Sequence, residues 1–245
     1  MKRPFDIAAS AVGLALTAPV LLVAGFLVWK QDRHSPLYLA PRVGRGGRPF
    51  QMVKLRSMVV NAQSTGVDST GASDPRITPI GHFIRRFKLD ELTQLWNVLR
   101  GDMSLVGPRP NVKRETDLYT AVERRLLDVK PGITDIASIV FSDEGEILKD
   151  AADPDIAYNQ LIRPGKSRLG LFYIDHRSMW LDLQLVLLTA VAVVSRRRAL
   201  HALQRLLRRL DAPAELVQIA GRAGPLVPAP PPGSTRIVSS RTATA

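Results

Sequence analysis

Apolar positions run without a single charge from residue 7 to residue 29. These 23 residues are enough to cross a bilayer, which takes about 20 in helical form. The run is longer than the apolar stretch of a cleaved signal peptide, and no small-x-small cleavage site follows it. Pro19 stands mid-run, where it removes a backbone hydrogen bond and bends a helix. Both flanks are basic, with Lys2 and Arg3 before the run and Lys30, Arg33, Arg42, Arg45 and Arg48 after it. The positive-inside rule therefore assigns no direction to a spanning helix, whereas a hairpin returning to the same face satisfies both ends. On these residues alone, spanning and re-entrant readings stand side by side.

The rest of the chain alternates short apolar patterns with polar breaks. Residues 37–42 and 50–56 predict two strands around the turn Gly44-Arg45-Gly46-Gly47-Arg48, hence a β-hairpin. That turn has neither Walker nor dinucleotide-loop spacing. Residues 61–74, rich in Ser, Thr and Gly, predict a mobile loop near the site. In residues 79–99, Ile80, Phe83, Ile84 and Phe87 recur at helical spacing, as do Leu92, Leu95, Trp96 and Leu99. The second series is out of phase with the first, which predicts a break near Lys88–Asp90 and puts Asp90 near a helix N-terminus. Residues 112–129 predict a surface helix, ended by Pro131-Gly132. The apolar run 183–194 is too short to span. With Trp180 at its start and arginines at its end, it fits an interfacial helix or an ordinary core helix. Leu200, Leu203, Leu207 and Leu210 fall on one face beside Arg205, Arg208 and Arg209, a pattern suited to a membrane surface or to a solvated helix end. Beyond residue 212 the Pro-rich and Ser/Thr/Arg segments predict disorder.

Charge narrows the partners. The net charge is +12, and +7 of it lies from residue 196 onward. An anionic partner follows: nucleic acid, membrane surface or phosphorylated substrate. A membrane-tethered nucleic-acid binder is disfavoured, because the basic excess sits in a tail without aromatic interleaving. With no cysteine, disulfides, thiolate metal sites and cysteine nucleophiles are excluded. His34, His82, His176 and His201 have no zinc-ligand spacing.

The chemistry concentrates in residues 79–110, where Asp90 and Glu91 follow Arg85 and Arg86. An Asp-Glu pair alone is commonly a helix cap followed by a solvated glutamate. Here it is embedded in Lys88-Leu89-Asp90-Glu91-Leu92, Gln94-Leu95-Trp96-Asn97-Val98, Gly101-Asp102-Met103-Ser104 and Gly107-Pro108-Arg109-Pro110. This set resembles the bacterial sugar transferases, the small monotopic phosphoglycosyl transferases that prime glycan assembly on a lipid carrier. The resemblance extends more weakly from the first residues to about Val194.

The resemblance implies an α+β, mostly helical fold. It comprises a re-entrant membrane helix (1–30) and a catalytic domain (31–195) with a small β-hairpin and amphipathic interfacial helices; residues 196–245, outside the resemblance, are expected by pattern and composition to form a basic helix with a disordered tail. It implies Asp90 as a nucleophile on a nucleotide diphosphosugar, a UDP-sugar by expectation, and polyprenyl phosphate as acceptor. Glu91 matches the second acid of the dyad and, with Asp90, holds Mg2+. Lys54 and Arg56 match a basic strand, Arg85 a position associated with the lipid phosphate, and Arg109 a phosphate or nucleotide contact. The expected location is the cytoplasmic face of the bacterial inner membrane, with membrane lipid as a partner and no nucleic acid. A non-catalytic scaffold on the same fold is the alternative. Two stretches depart from the family pattern: Asp135-Ile136-Ala137-Ser138 stands where Gly-x-Ala-Gln is frequent, and Ala40-Pro41-Arg42 where Gln-x-Arg is common. Phe141-Ser142-Asp143-Glu144-Gly145-Glu146 resembles one branch.

Overall fold

The computed structural model describes residues 2–67 and 69–240. Helix α1 (Lys2–Asp32) leads into strands β1 (Leu37–Val43) and β2 (Pro49–Leu55). These pair antiparallel, with Leu37 opposite Leu55 and Val43 opposite Pro49, as the alternating pattern predicts. The segment after β2 forms a 3₁₀ turn, Ala62–Thr65, and an irregular run up to α2 (Pro79–Arg86); residue 68 of the predicted loop lies outside the described residues. Thr78 caps α2 by accepting from the Gly81 amide at 3.1 Å. Gly81 is dictated by contact, since a Cβ there would lie 1.9 Å from the Ser57 carbonyl oxygen.

The predicted break is real. Lys88 adopts the left-handed region (φ 56°) between α2 and α3 (Leu89–Leu92), which passes directly into α4 (Leu95–Arg100). Strand β3 (Ser104–Val106) then pairs parallel with β4 (Gly132–Thr134). Between these strands the predicted surface helix does not form as one element. The chain makes α5 (Lys113–Asp117), a turn, and a 3₁₀ segment, Glu123–Leu127. Glu123 is the reason: it is fully buried, accepting from Arg163 Nε at 2.9 Å and Nη2 at 2.5 Å. A solvated helical face cannot carry that residue inward.

Helices α6 (Ile136–Val140), α7 (Glu144–Ile147) and α8 (Pro154–Ala157) lead through a π turn, Tyr158–Ile162, to α9 (Arg163–His176), α10 (Met179–Val194), α11 (Arg196–Arg209) and α12 (Ala214–Gly221). One apolar cluster joins Ile136, Val140, Ile162, Leu169, Leu185, Leu203, Leu207 and Ala220. The leucine face of α11 is thus core, with Leu203 and Leu207 fully buried, and is not presented to a membrane. Its arginines Arg197, Arg198, Arg205, Arg208 and Arg209 face solvent.

Disorder beyond residue 212 is likewise overturned for the described residues. Leu216 and Ala220 of α12 are buried. Beyond α12, the Ala229 amide donates to the Gln160 carbonyl at 3.0 Å. Gln160 Nε2 donates to the Val238 carbonyl at 2.7 Å, and Thr120 Oγ1 to the Pro232 carbonyl at 2.5 Å. Composition misleads here because the strap is held by its backbone, which supplies hydrogen bonds whatever the side chains are. Residues 241–245 of the predicted tail lie outside the described residues.

Helix α1 includes Pro19, where the sequence predicts a bend, within its helical span. It leaves Val12, Leu16, Val20, Leu22, Val23 and Phe26 exposed. Among the described residues it is the one helix long and apolar enough to cross a membrane. Polar anchors fix its first turns: Lys2 pairs with Asp182, Arg3 donates to the Leu99 carbonyl at 2.7 Å, and buried Asp6 accepts from Ser104 Oγ at 2.9 Å. Its other end packs Ala24 and Val28 against Leu55 and Ile84.

Candidate active site

The site forms where β2 meets the α3–α4 turn, and side-chain mimicry of a strand edge holds the two together. Asn97 Nδ2 donates to the Gln51 carbonyl at 2.7 Å, and Asn97 Oδ1 accepts from the Val53 amide at 2.8 Å. Thr93 Oγ1 donates to the Val53 carbonyl at 2.9 Å. These bonds satisfy the free edge of β2 and bring Lys54, the next residue, beside Asp90.

Asp90 is the second residue of α3 and is buried. Its Oδ2 lies 3.7 Å from Lys54 Nζ, and its Oδ1 is buried with no hydrogen-bond partner. One turn on, Gln94 is fully buried with both amide atoms also unpartnered. An orphaned carboxylate oxygen in a folded interior is costly, and such groups mark sites that bind or react.

Glu91 accepts from Arg109 Nη2 at 3.0 Å, and Lys88 Nζ stands 4.0 Å from the same oxygen. Burial opposes ionisation of Glu91, yet the Arg109, Lys88 and Lys54 charges hold its carboxyl below the usual range. Glu91 in turn raises the Arg109 guanidinium, against the opposing effect of burial. Burial pushes Lys54 down to about 8, with Asp90 acting in the opposite sense. Arg109 sits where it does because β3 and β4 approach at their glycines. A Cβ on Gly107 would lie 2.5 Å from the Lys130 carbonyl oxygen, and one on Gly132 2.1 Å from the Gly107 amide nitrogen.

The sequence-derived residues divide accordingly. Lys54, Asp90, Glu91 and Arg109 converge. Arg85 donates Nε to Ser57 Oγ at 2.9 Å; burial lowers its pKa, and Asp90 and Asp74 counter this electrostatically. Arg56 does not join them. It forks onto Asp32 at 2.5 and 2.6 Å and donates to the Ser35 carbonyl at 2.8 Å. Its guanidinium holds the Asp32 carboxyl at about 2.

Sequence reasoning gave no role to a second group on the far side of Arg109. Glu144 pairs with Lys166, and Arg109, Asp135, Ser138, Tyr158 and Lys166 line one cavity. Asp135 caps α6 by accepting from the Ser138 amide and hydroxyl, both at 2.6 Å. Asp135, Ser138 and Glu144 all lie in stretches that depart from the common family pattern or resemble one branch of it, which was the available signal. Among the described residues no group of three or more His, Asp or Glu side chains could hold a metal ion.

The family model described as "Bacterial sugar transferase" matches residues 1–196. A UDP-galactose-lipid carrier transferase of Erwinia amylovora is 34% identical over 211 residues, 80% of this chain and 41% of that protein. A UDP-glucose:undecaprenyl-phosphate glucose-1-phosphate transferase of Caulobacter vibrioides is 34% identical over 201 residues, 79% of this chain and 70% of that protein. An undecaprenyl-phosphate galactose phosphotransferase of Salmonella typhimurium is 33% identical over 211 residues, 80% of this chain and 41% of that protein. The chain thus spans well under half the length of the Erwinia and Salmonella relatives.

Proposed function

The chain belongs to the bacterial sugar transferase family, and from that premise we propose that it moves a phosphosugar from a nucleotide diphosphosugar to polyprenyl phosphate through a covalent aspartyl intermediate. The observation that carries this reading is the buried, unpartnered Oδ1 of Asp90 beside Lys54. A carboxylate nucleophile divides one difficult displacement into two easier ones. In the first, Asp90 Oδ1 bonds to the phosphorus next to the sugar while the P–O bond to the nucleoside monophosphate breaks. In the second, a polyprenyl phosphate oxygen bonds to that phosphorus, the aspartyl–phosphorus bond breaks, and the carboxylate is restored. Lys54 and Arg109 face the diphosphate and offset the charge that builds on its oxygens.

Mg2+ suits this donor set, because it is commonly held by one or two carboxylates together with substrate phosphate oxygens. Here Asp90 offers an oxygen without a partner and Glu91 is an ionised neighbour. Bound there, the ion would neutralise phosphate charge. The donor nucleotide is read as UDP, following the names of the Erwinia and Caulobacter relatives. The membrane reading rests on α1, whose apolar flank is exposed while both ends rest on the same folded body. We read it as re-entrant, with the site on the cytoplasmic face of the inner membrane. The product is the first lipid-linked intermediate of a glycan.

The test is Asp90→Asn. The amide retains the shape of the carboxylate and its place in the helix start but cannot accept the phosphoryl group. Detergent-solubilised wild type given a panel of UDP-sugars and polyprenyl phosphate should release UMP, and the variant should not. Retention of activity within about tenfold, or about 1.4 kcal/mol of barrier, would remove Asp90 as nucleophile.

A further inference from the structure

The family model ends at residue 196, yet the chain beyond it reaches back to the site. Arg196 Nη2 lies 2.9 Å from Asp143 Oδ1 and donates to the Val140 carbonyl at 2.9 Å. Arg196 Nε donates to Ser142 Oγ at 3.1 Å. From the other side, Arg222 Nη2 donates to Asp143 Oδ2 at 3.0 Å. Arg222 caps α12 in the left-handed region (φ 48°), and its guanidinium lies 5.3 Å from the Phe141 ring. The side chain of Arg222 is only 11% exposed. A buried arginine held in that backbone conformation is too constrained to be a solvated surface charge. Asp143 is therefore gripped by two arginines, one at the last matched position and one 26 residues past it.

Asp143 immediately precedes α7, whose first residue is Glu144. Glu144 pairs with Lys166, and Lys166 shares a cavity wall with Arg109, the partner of Glu91. The same loop receives the 61–74 segment, since the Ala72 amide donates to the Gly145 carbonyl at 2.8 Å. Contacts thus run from α12 through Asp143 to the Glu144–Lys166 pair, and Lys166 lines the same cavity as Arg109, the partner of Glu91.

We propose that Asp143, clamped between Arg196 and Arg222, is a positioning residue for the donor end of the site, fixing Glu144 and through it Lys166 opposite Arg109. The segment beyond the family domain is on this account part of the donor site's framework. The proposal rests on the transferase reading, and it adds that the Lys166 side of Arg109 serves the donor.

The test uses full-length protein in detergent with Arg222→Ala, Arg222→Lys, Asp143→Asn and the Arg222→Ala/Asp143→Asn double variant. Steady-state kinetics with the nucleotide sugar is read beside hydrogen exchange over residues 141–147. For a contacting pair the coupling is large enough that Arg222→Ala should raise donor KM about tenfold, with kcat within about threefold. Arg222→Lys should recover part of that loss. The double variant should be no worse than the worse single one. Exchange should quicken over 141–147 and not over α4. An unchanged KM, a loss confined to kcat, or additive effects in the double variant would overturn the proposal. If Arg222→Ala does not fold, the near-isosteric Asp143→Asn carries the same kinetic expectation and decides alone. Absence of turnover in the wild type would sink the transferase reading, and the exchange measurement would still decide whether the clamp holds the loop.

Discussion

Lys54 carries the clearest consequence for pH at the scale of single residues. Its ammonium is held to about 8 by burial, against an ordinary value near 10.4. Between those two values the unfolded chain binds more protons than the folded one, so Lys54 makes stability rise with pH there. Activity should move the other way. In the free enzyme the positive charge facing the diphosphate is lost through about pH 8, and kcat/KM reports the free enzyme. We expect an alkaline limb in kcat/KM near pH 8, displaced upward by at least about two units in Lys54→Arg, whose guanidinium does not titrate in this range. A limb that stays in place in the variant would assign it to another group. Arg109 and Arg56 offer a paired contrast. Arg109→Ala leaves half-buried Glu91 without its guanidinium partner and should lower kcat/KM by about a hundredfold or more, the scale of losing one stabilising group in such a site. Arg56→Ala removes a fork to Asp32 and should lower Tm slightly, with kcat/KM within about threefold. The family motifs singled out Asp90, Glu91, Lys54 and Arg109, which the fold brings together. That Arg56 stands apart from these was not legible, because its partner Asp32 lies 24 residues earlier, at the end of a helix whose direction no local pattern gives.

Elements were legible wherever their periodicity served one neighbour. The hairpin and the break before Asp90 followed from alternation and phase, and both are present. The segment 112–129 failed because Glu123 and Arg163 form a buried pair 40 positions apart, and a charge read alone implies solvent. The leucine face of α11 was visible, but its partner was not: a face that suits a membrane suits α6 equally well, and the core took it. The β3–β4 crossing gives a prediction at this scale. Gly107→Ala places a methyl 2.5 Å from the Lys130 carbonyl oxygen, and that backbone cannot yield without separating the strands. Overpacking of this kind costs about 1–3 kcal/mol or more. A thermal melt should show Tm lowered by several degrees, with donor turnover reduced because Arg109 follows two residues later. An unshifted melt would mean the crossing is looser than these contacts require.

Across the whole molecule, the position of α1 relative to a bilayer follows from where its ends are tied. Lys2, Arg3 and Asp6 bind groups on α10, α4 and β3, while Val28 packs on Leu55 and Ile84 and Asp32 is forked by Arg56. Because both ends of α1 are tied to one folded body, setting it across about 30 Å of hydrocarbon would pull one end off that body. Its first turns would then have to leave a buried carboxylate, Asp6, without the partners it holds here, at a cost of several kcal/mol. Both ends are therefore expected on the cytoplasmic face, with the exposed flank of Val12, Leu16, Val20 and Val23 set into one leaflet. The basic flanks, being symmetric, leave spanning and re-entrant forms open; the long-range pairing of Lys2, Arg3 and Asp6, which no local pattern displays, supports the re-entrant proposal. The chain has no cysteine, so single labels can be placed without background. Pro4→Cys and Gln31→Cys lie at exposed positions near the two ends. In intact cells an impermeant maleimide should label neither, and after permeabilisation it should label both to a similar extent. Labelling of one position alone from outside would mean that α1 spans, and the contacts of Asp6 with β3 would then not survive in the membrane.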